Sequence, residues 1–330
     1  FDLNVYDDSI FKSATTRLSF DDGLDVSVTG SFVYVDAQVM VQNGALVQVG
    51  GDFRASATFG DGAVDLQRDR SGATLVARGI NSTIAGGISN RAGGDYSSIV
   101  GGDTNNIYTG SSYSSILGGT SNTIIGGEAV TILGGEVNFV SGSASGIVGG
   151  VTNDVSGDYV LVAGTGLVAN ADFVSMLGRD ANTNLYGADI KNTSAIAGGP
   201  ASPAPYRMFL TWSRSTFNAT LTEAFLDGSA IRAVLPNNTT WAFHILFSAR
   251  RTDAANESAG YIVTGVIDRQ LTAASTALVA AVTKTVLAED DAAWDVTVDA
   301  DTTNGSLRIQ VTGAAAKTIN WHAFATISSS

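Results

Sequence analysis

A pair of glycines that returns at nearly constant spacing through the middle of this chain limits what it can fold into. The pattern apolar-x-Gly-Gly-x-x-Asn occurs at residues 84–90, 99–105, 116–122, 132–138 and 147–153. The leading glycines, Gly86, Gly101, Gly118, Gly134 and Gly149, are separated by 15, 17, 16 and 15 residues. A further pair, Gly126 and Gly127, falls midway between Gly118 and Gly134, so each period splits into two halves of about eight residues. Self-similarity at this period specifies a solenoid, in which each coil buries its apolar face against the next.

Each half-period supplies a short strand, such as Ser98-Ile99-Val100 or Ser115-Ile116-Leu117, and then a turn. A tight turn every eight residues demands positive φ, so the leading glycines are expected to be the turn residues. Valine at Gly118 or Gly134 is accordingly expected to disrupt the rod. Asn90, Asn105, Asn122, Asn138 and Asn153 are read as turn residues that stack into a ladder. The spacing continues through Gly164 and Gly178 to Gly198-Gly199. About eight coils at roughly 4.8 Å each give a rod of roughly 40 Å. So thin a coil has little interior of its own, and aliphatic residues on its outside predict burial between chains, with a homotrimer the economical closure.

The run Ser-Ser-Ile-Leu-Gly-Gly-Thr-Ser-Asn-Thr-Ile, from Ser114 to Ile124, resembles the head repeats of trimeric autotransporter adhesins and the glycine-pair repeats of bacteriophage fibre proteins. The adhesin pattern has a single glycine where this chain has two. The resemblance covers about 130 residues and implies a trimeric β-roll that works in adhesion.

Around the repeat, the chain divides into an N-terminal tether (1–23), a β-strand shaft segment (24–70), the glycine-pair β-roll (71–199) and a C-terminal head (206–330). Residues 24–51 alternate apolar and polar in short runs, Asn43-Gly44 being the strongest turn signal among them. Such runs are similar to phage tail-fibre shafts. Pro200, Pro203 and Pro205 mark the clearest boundary. Beyond it lie all four tryptophans, in strand-like runs such as Trp241-Ala-Phe-His-Ile-Leu-Phe, which predict an antiparallel β-sandwich or jelly roll of roughly eight strands. The fold class is therefore all-β, with a trimeric β-solenoid shaft followed by a jelly-roll-like head, and the head resembles terminal domains of phage fibres. The alanine-rich stretch 271–282 is the one candidate for a longer helix.

A net charge of −13 and four basic residues in the repeat, Arg78, Arg91, Arg179 and Lys191, argue against a nucleic-acid partner. There is no cysteine to make a disulfide or ligate a metal, and no apolar run long enough to suggest membrane insertion. No cofactor is expected. Gly164-Thr-Gly166-Leu-Val-Ala169 matches a dinucleotide fingerprint in form, but Gly164 is in phase with the coil and no amphipathic helix follows. Asp299-Ala-Asp301-Thr-Thr-Asn304-Gly305 looks like a calcium loop without its closing glutamate and reads as a polar hairpin. His244 and His322 have no neighbouring cysteine or carboxylate, and no nucleophile elbow occurs. Paired carboxylates, among them Asp21-Asp22 and Glu289-Asp290-Asp291, could serve polysaccharide hydrolysis in principle.

These features are read as a virion fibre or spike, not an enzyme, whose partners are itself, other tail or capsid proteins, and a host surface glycan or protein bound multivalently. The alternatives are a bacterial trimeric adhesin and a polysaccharide-degrading tailspike. Since the repeat is monotonous, recognition is assigned to the head. Its candidate loop carries Arg250, Arg251, Asp253, Asn256 and Glu257 between two strong strands.

Overall fold

The computed structural model describes residues 59–67, 69–192, 206–254 and 257–330, together with the strands Thr15–Ser19, Asp25–Thr29, Val39–Gln42 and Ala45–Gln48. Asp21-Asp22, Asn43-Gly44, Gly198-Gly199, the prolines of 200–205 and Asn256 lie outside the described residues. From Val64–Asp65 to Asp189–Asn192 the chain winds through about nine parallel coils. Two columns of short parallel strands run along the stack. One passes through Thr83–Ile84, Ser98–Ile99, Ser115–Ile116 and Thr131–Ile132, then lengthens to Gly146–Val151, Leu161–Thr165 and Ser175–Arg179. The other passes from Arg91–Ala92 to Asn182–Thr183. Single parallel bridges from Ile88 through Asp103, Thr120 and Glu136 to Val151 join successive coils between the two columns. The stack begins before the glycine-pair repeat. An antiparallel hairpin of Val39–Gln42 and Ala45–Gln48 adds its second strand to Val64–Asp65, which pairs with Thr83–Ile84.

Inside the coils three columns of side chains stack on their own copies. Ile84, Ile99, Ile116, Ile132 and Ile147 line one wall, and Ala92, Ile107, Ile124, Val140 and Val155 line the opposite strand column, all of them buried. Between them, Asn90, Asn105, Asn122, Asn138 and Asn153 point inward and are buried. The Oδ1 of each accepts the backbone N–H of the next, at 3.0 Å for Asn105 on Asn90, 3.1 Å for Asn122 on Asn105, 3.2 Å for Asn138 on Asn122 and 3.1 Å for Asn153 on Asn138. Each Nδ2 donates to glycine carbonyls of its own coil and the next, as Asn122 does to Gly118 and Gly135. Asparagine thus supplies both the acceptor and the donors that a tight coil leaves open. Gln67 opens the ladder, its Oε1 accepting the Asn90 N–H at 2.8 Å, and Leu167 closes it by donating its N–H to Asn153 Oδ1 at 3.1 Å. Below Gln67, the buried Asp65 carboxylate is satisfied by Arg70 at 2.8 Å and by the Ala77 N–H at 3.0 Å.

The C-terminal part contains ten strands, numbered here β1 (Tyr206–Thr216), β2 (Thr222–Ala224), β3 (Ala233–Val234), β4 (Thr239–Arg251), β5 (Ser258–Arg269), β6 (Ala277–Leu278), β7 (Thr283–Glu289), β8 (Asp295–Asp301), β9 (Ser306–Thr312) and β10 (Ile319–Ser329). One antiparallel sheet has the order β1-β10-β4-β5-β7, with β6 also on β5. In the other, β9 lies between β8 on one side and β2 and β3 on the other. Strand β1 also pairs antiparallel with Asp189–Asn192, placing Met208 opposite Ile190, so the larger head sheet continues a solenoid sheet. Trp212, Trp241, Trp294 and Trp321 are all fully buried in the head, and Trp321 Nε1 donates to Thr216 Oγ1 at 3.0 Å. The alanine-rich stretch makes only a 3-10 turn, Ala273–Ser275, before β6 pairs onto Ile267 and Asp268. Edge pairing to β5 overrides its helical propensity. Among the described residues, no helix is long and apolar enough to cross a membrane.

Turn geometry differs from the sequence expectation in one respect. Positive φ falls on the second glycine of the Gly-Gly-x-x-Asn pairs, at 90° for Gly87, 91° for Gly102, 91° for Gly119 and 102° for Gly135, whereas in the midway pair it falls on the first, Gly126, at 82°. The leading Gly86, Gly101, Gly118 and Gly134 do not adopt it, and a Cβ on Gly101, Gly118 or Gly134 would meet nothing within 4 Å. Gly149 is at φ 159°, close to extended backbone, and also has open space around it. The ladder asparagines are not left-handed either. That conformation belongs to the residue before each of them: Ser89, Thr104, Ser121, Val137 and Thr152, at φ between 53° and 58°. The residue before each ladder position is inverted because inversion aims its N–H along the stack. Ser121 N donates to Asp103 O at 2.9 Å, and Val137 N to Thr120 O at 3.0 Å. Gly135→Ala is expected to destabilise by about 2 kcal/mol or more, since its Cβ would fall 2.1 Å from Gly150 O in a left-handed backbone. Gly134→Ala should be close to neutral, and the difference in thermal midpoint between the two variants checks the assignment. Asn122→Ala should cost about 1–3 kcal/mol by stranding the Asn138 amide, measured by denaturant unfolding.

Candidate functional site

The polar loop singled out in the sequence sits where the ends of four head strands converge. Arg251 closes β4, and its guanidinium contacts Asp253 at 2.8 Å and Glu257 at 3.0 Å. Lys317, from the segment before β10, reaches both Glu257 at 2.5 Å and Asp291 at 2.7 Å. Asp290, beyond the end of β7, accepts the Ser258 N–H at 2.7 Å, which ties the start of β5 to the same edge. The single Tyr261 hydroxyl proton is shared between Glu289 at 3.0 Å and the Trp294 carbonyl at 3.1 Å, anchoring the network to the core. The fold therefore unites Arg251, Asp253 and Glu257 with the acidic run 289–291. Arg250 is exposed on the outer face of β4, opposite Ser258 and Asn320 and apart from this network. Lys317 has no sequence signature, being a single lysine after three alanines. Its role arises only because the turn before β10 lands beside the β4–β5 loop.

These contacts set the protonation states. The Arg251 guanidinium and nearby amides hold the Asp253 carboxyl below its ordinary range despite an opposing desolvation. Lys317 does the same for Asp291, and the two carboxylates raise Lys317 in turn. Burial, reinforced by the Glu289 carboxylate, pushes the Tyr261 hydroxyl up, so it stays a donor. The remaining motifs have structural roles. Gly164 pairs with Gly178 inside the coil, and Asp301 closes the β8–β9 hairpin by accepting the N–H groups of Thr303 and Asn304. His244 and His322 stand exposed on the outer face of the larger head sheet, and among the described residues no cluster of His, Cys, Asp and Glu could hold a metal. His244 borders a groove of about 560 Å³ floored by Ala242, Thr264, Val266, Thr326 and Ser328 and flanked by Val279 to Ala281.

A second surface lies on the rod, where the sequence reading expected monotony. The left-handed corner before the Ser-Ser-Ile strands carries Tyr96, Tyr113, Tyr159 and Phe173, each at least half exposed. Tyr96 and Tyr113 stack at 5.2 Å with their planes 2° apart, and Tyr159 and Phe173 at 4.9 Å and 11°. Tyr186 extends the series, tilted 59° against Phe173. Aromatic residues at positive φ are uncommon, and here the same axial N–H bond that serves the opposite corner holds them. The signal was present as Tyr-Ser-Ser-Ile at Tyr96 and again at Tyr113. Another face exposes an aliphatic side chain in most coils, at Val100, Leu117, Leu133, Val148 and Leu177, with the smaller Ala163 between the last two.

No family model and no curated protein matches the chain. Among solved structures it is similar to a tailspike protein of the Acinetobacter baumannii bacteriophage Fri1, a capsular polysaccharide depolymerase, at 9% identity and a TM-score of 0.24, over 86% of this chain and 50% of that one. It is also similar to the tailspike of Acinetobacter baumannii phage AM24, at 9% identity and a TM-score of 0.22, over 83% of this chain and 68% of that one. This chain thus spans half the length of the Fri1 tailspike. The sequence reading took the chain for no enzyme; against that expectation, one of these neighbours is a polysaccharide-degrading enzyme.

Depressed carboxyls contribute stability that is present above their unfolded value, about 3.9, and is lost as pH falls through the lower folded value. Asp253 and Asp291 both fall in this class. The thermal midpoint of the head is therefore expected to decline progressively below about pH 4. Lys317→Ala should flatten that decline, which calorimetry across a pH series will read.

Proposed function

We propose that this chain is the rod and head of a tailspike-type appendage, in which three copies associate and engage polysaccharide at a bacterial surface. The observation that carries the reading is the apolar periodicity left outside the coil. A stripe of Val100, Leu117, Leu133, Val148 and Leu177, each 45–55% exposed, repeats with the coil itself. A surface with that repeat is matched best by another copy of the same coil, which supports closure around an axis. The aromatic corner is then left to solvent as a line of ring edges and faces on a rigid support, suited to the apolar faces of sugars. Three rods held together make weak single contacts cumulative.

Cleavage of the bound polysaccharide is the enzymatic form of this reading, favoured by the geometry around Lys317. Glu257 and Asp291 contact the same Nζ at 2.5 and 2.7 Å, which sets their contacting oxygens no more than about 5 Å apart. That separation suits a retaining pair. Asp291, held ionised by Lys317, takes the nucleophile's part. Glu257, ion-paired here to Arg251 and Lys317, takes the part of acid and base once substrate displaces Lys317 from between the two carboxyls and Glu257 has gained a proton.

Sedimentation of the full chain should give a trimer, and Leu133→Lys should shift it towards monomer, whereas a stable wild-type monomer would remove this assembly. Release of reducing ends from bacterial surface polysaccharide should fall about a thousandfold or more in both Glu257→Gln and Asp291→Asn, with binding retained. Undiminished release by both would place the chemistry elsewhere.

A further inference from the structure

The aromatic ladder on the rod is interrupted, and the interruption is shaped. Its left-handed corner reads Tyr96, Tyr113, Ala129, Ala144, Tyr159, Phe173 in successive coils, all at φ between 52° and 59°. Each of these residues donates its N–H to the preceding coil in the same way, so the backbone column runs unbroken through the two alanines. Only the side chains are missing. Tyr113 is covered on one face by Tyr96, and Tyr159 on one face by Phe173. Their other faces look along the column towards Ala129 and Ala144. The two are the most exposed aromatic residues of the coil, at 65% for Tyr113 and 59% for Tyr159. Three coil steps separate them, about 14 Å between ring planes at the parallel-strand spacing. Since stacked layers sit roughly 4–5 Å apart in this column, the notch admits two further flat rings and no more.

The chemistry of its rim narrows the occupant. Residue by residue, the position before the corner carries Ser112, Glu128, Ser143 and Asp158 through this stretch. Asp158 Oδ1 is engaged by the Ser143 N–H at 2.6 Å, whereas the exposed Glu128 carboxylate has no hydrogen-bond partner among the described residues. No lysine or arginine occurs between Arg91 and Arg179, so the rim accepts hydrogen bonds and repels anions. Two apolar ring faces opposed across a slot, with a carboxylate at its edge, match a pair of linked pyranose rings whose C–H faces stack on tyrosine and whose hydroxyl groups donate to Glu128. The same edge disfavours uronate sugars.

Resting on the reading of the chain as a polysaccharide-engaging spike, we propose that the notch between Tyr113 and Tyr159 is a subsite for a disaccharide unit of neutral or amino sugars. The paired aromatic faces replace, for the ligand, the two layers the protein omits. Polysaccharide recognition is thereby placed on the rod as well as at the head edge.

The test uses the full chain on an array of bacterial surface oligosaccharides, followed by calorimetric titration with the tightest hit. A double variant, Ala129→Tyr with Ala144→Tyr, completes the ladder with the residue that neighbouring coils already carry at the same φ. It should keep or raise the thermal midpoint and weaken oligosaccharide binding at least tenfold, and Tyr113→Ala should weaken it roughly tenfold. Glu128→Gln should weaken it severalfold without altering assembly. Binding by the wild type that is unchanged in the filled variant would overturn the subsite while leaving polysaccharide engagement intact. Wild-type binding confined to uronate-containing glycans would overturn the assigned sugar class. Absence of binding to every glycan would overturn both the subsite and the wider reading.

Discussion

Axial hydrogen bonding between identical positions of successive coils is the constraint on which this structure depends. Each coil must present its donors and acceptors directly over those of the coil below, at one strand spacing, or buried polar groups are left unpaired. The asparagine ladder meets that requirement inside the coil, with Oδ1 accepting from the next coil and Nδ2 donating to glycine carbonyls of its own coil and the next. The inverted backbone residues meet it at the corners. Replacing any one layer leaves a neighbour unsatisfied, so the repeat is held in register by polar groups more strictly than by its isoleucines, which tolerate exchange for valine or methionine in Val162 and Met176.

Both ends of such a stack are exposed strand edges, which invite uncontrolled pairing. At the N-terminal end, the hairpin that carries Ala45–Gln48 pairs onto Val64–Asp65, and Gln67, Asp65 and Arg70 satisfy the first layer in place of an asparagine. At the other end, β1 of the head pairs antiparallel with Asp189–Asn192, turning the open edge into the start of a larger antiparallel sheet. The head is therefore continuous with the solenoid in its hydrogen bonding. Its own edge network of Arg251, Glu257, Lys317 and Asp291 joins the far ends of its strands.

Since axial bonding uses backbone atoms and inward side chains, the outside of the coil is free to vary. That freedom gives the rod surfaces of different chemistry. One face keeps an aliphatic residue in most coils and suits a partner with the same repeat, whereas the aromatic corner changes from tyrosine to alanine and back without disturbing the backbone. A monotonous interior is thus compatible with a patterned exterior, and the regularity of the first supplies the ruler against which gaps in the second have a defined size.

The solenoid was legible in the sequence because its period is written by residues with narrow backbone or bonding requirements. Gly86-Gly87 and its successors, Asn90 and its successors, and the intervening isoleucines all follow from stacking alone. The division of labour within each motif was not legible. Whether the first or second glycine of a pair is inverted, and whether asparagine turns the chain or fills it, depends on where the next coil's carbonyl lies, which local sequence does not specify. The same holds for the head edge. Arg251 and Glu257 belong to one loop by sequence, but Lys317 joins them to Asp291 only through side-chain contacts to residues 60 and 26 positions away. Local periodicity determines a repeating backbone because each coil meets only its neighbours. A site assembled from distant segments is decided by tertiary packing, because its members share no period.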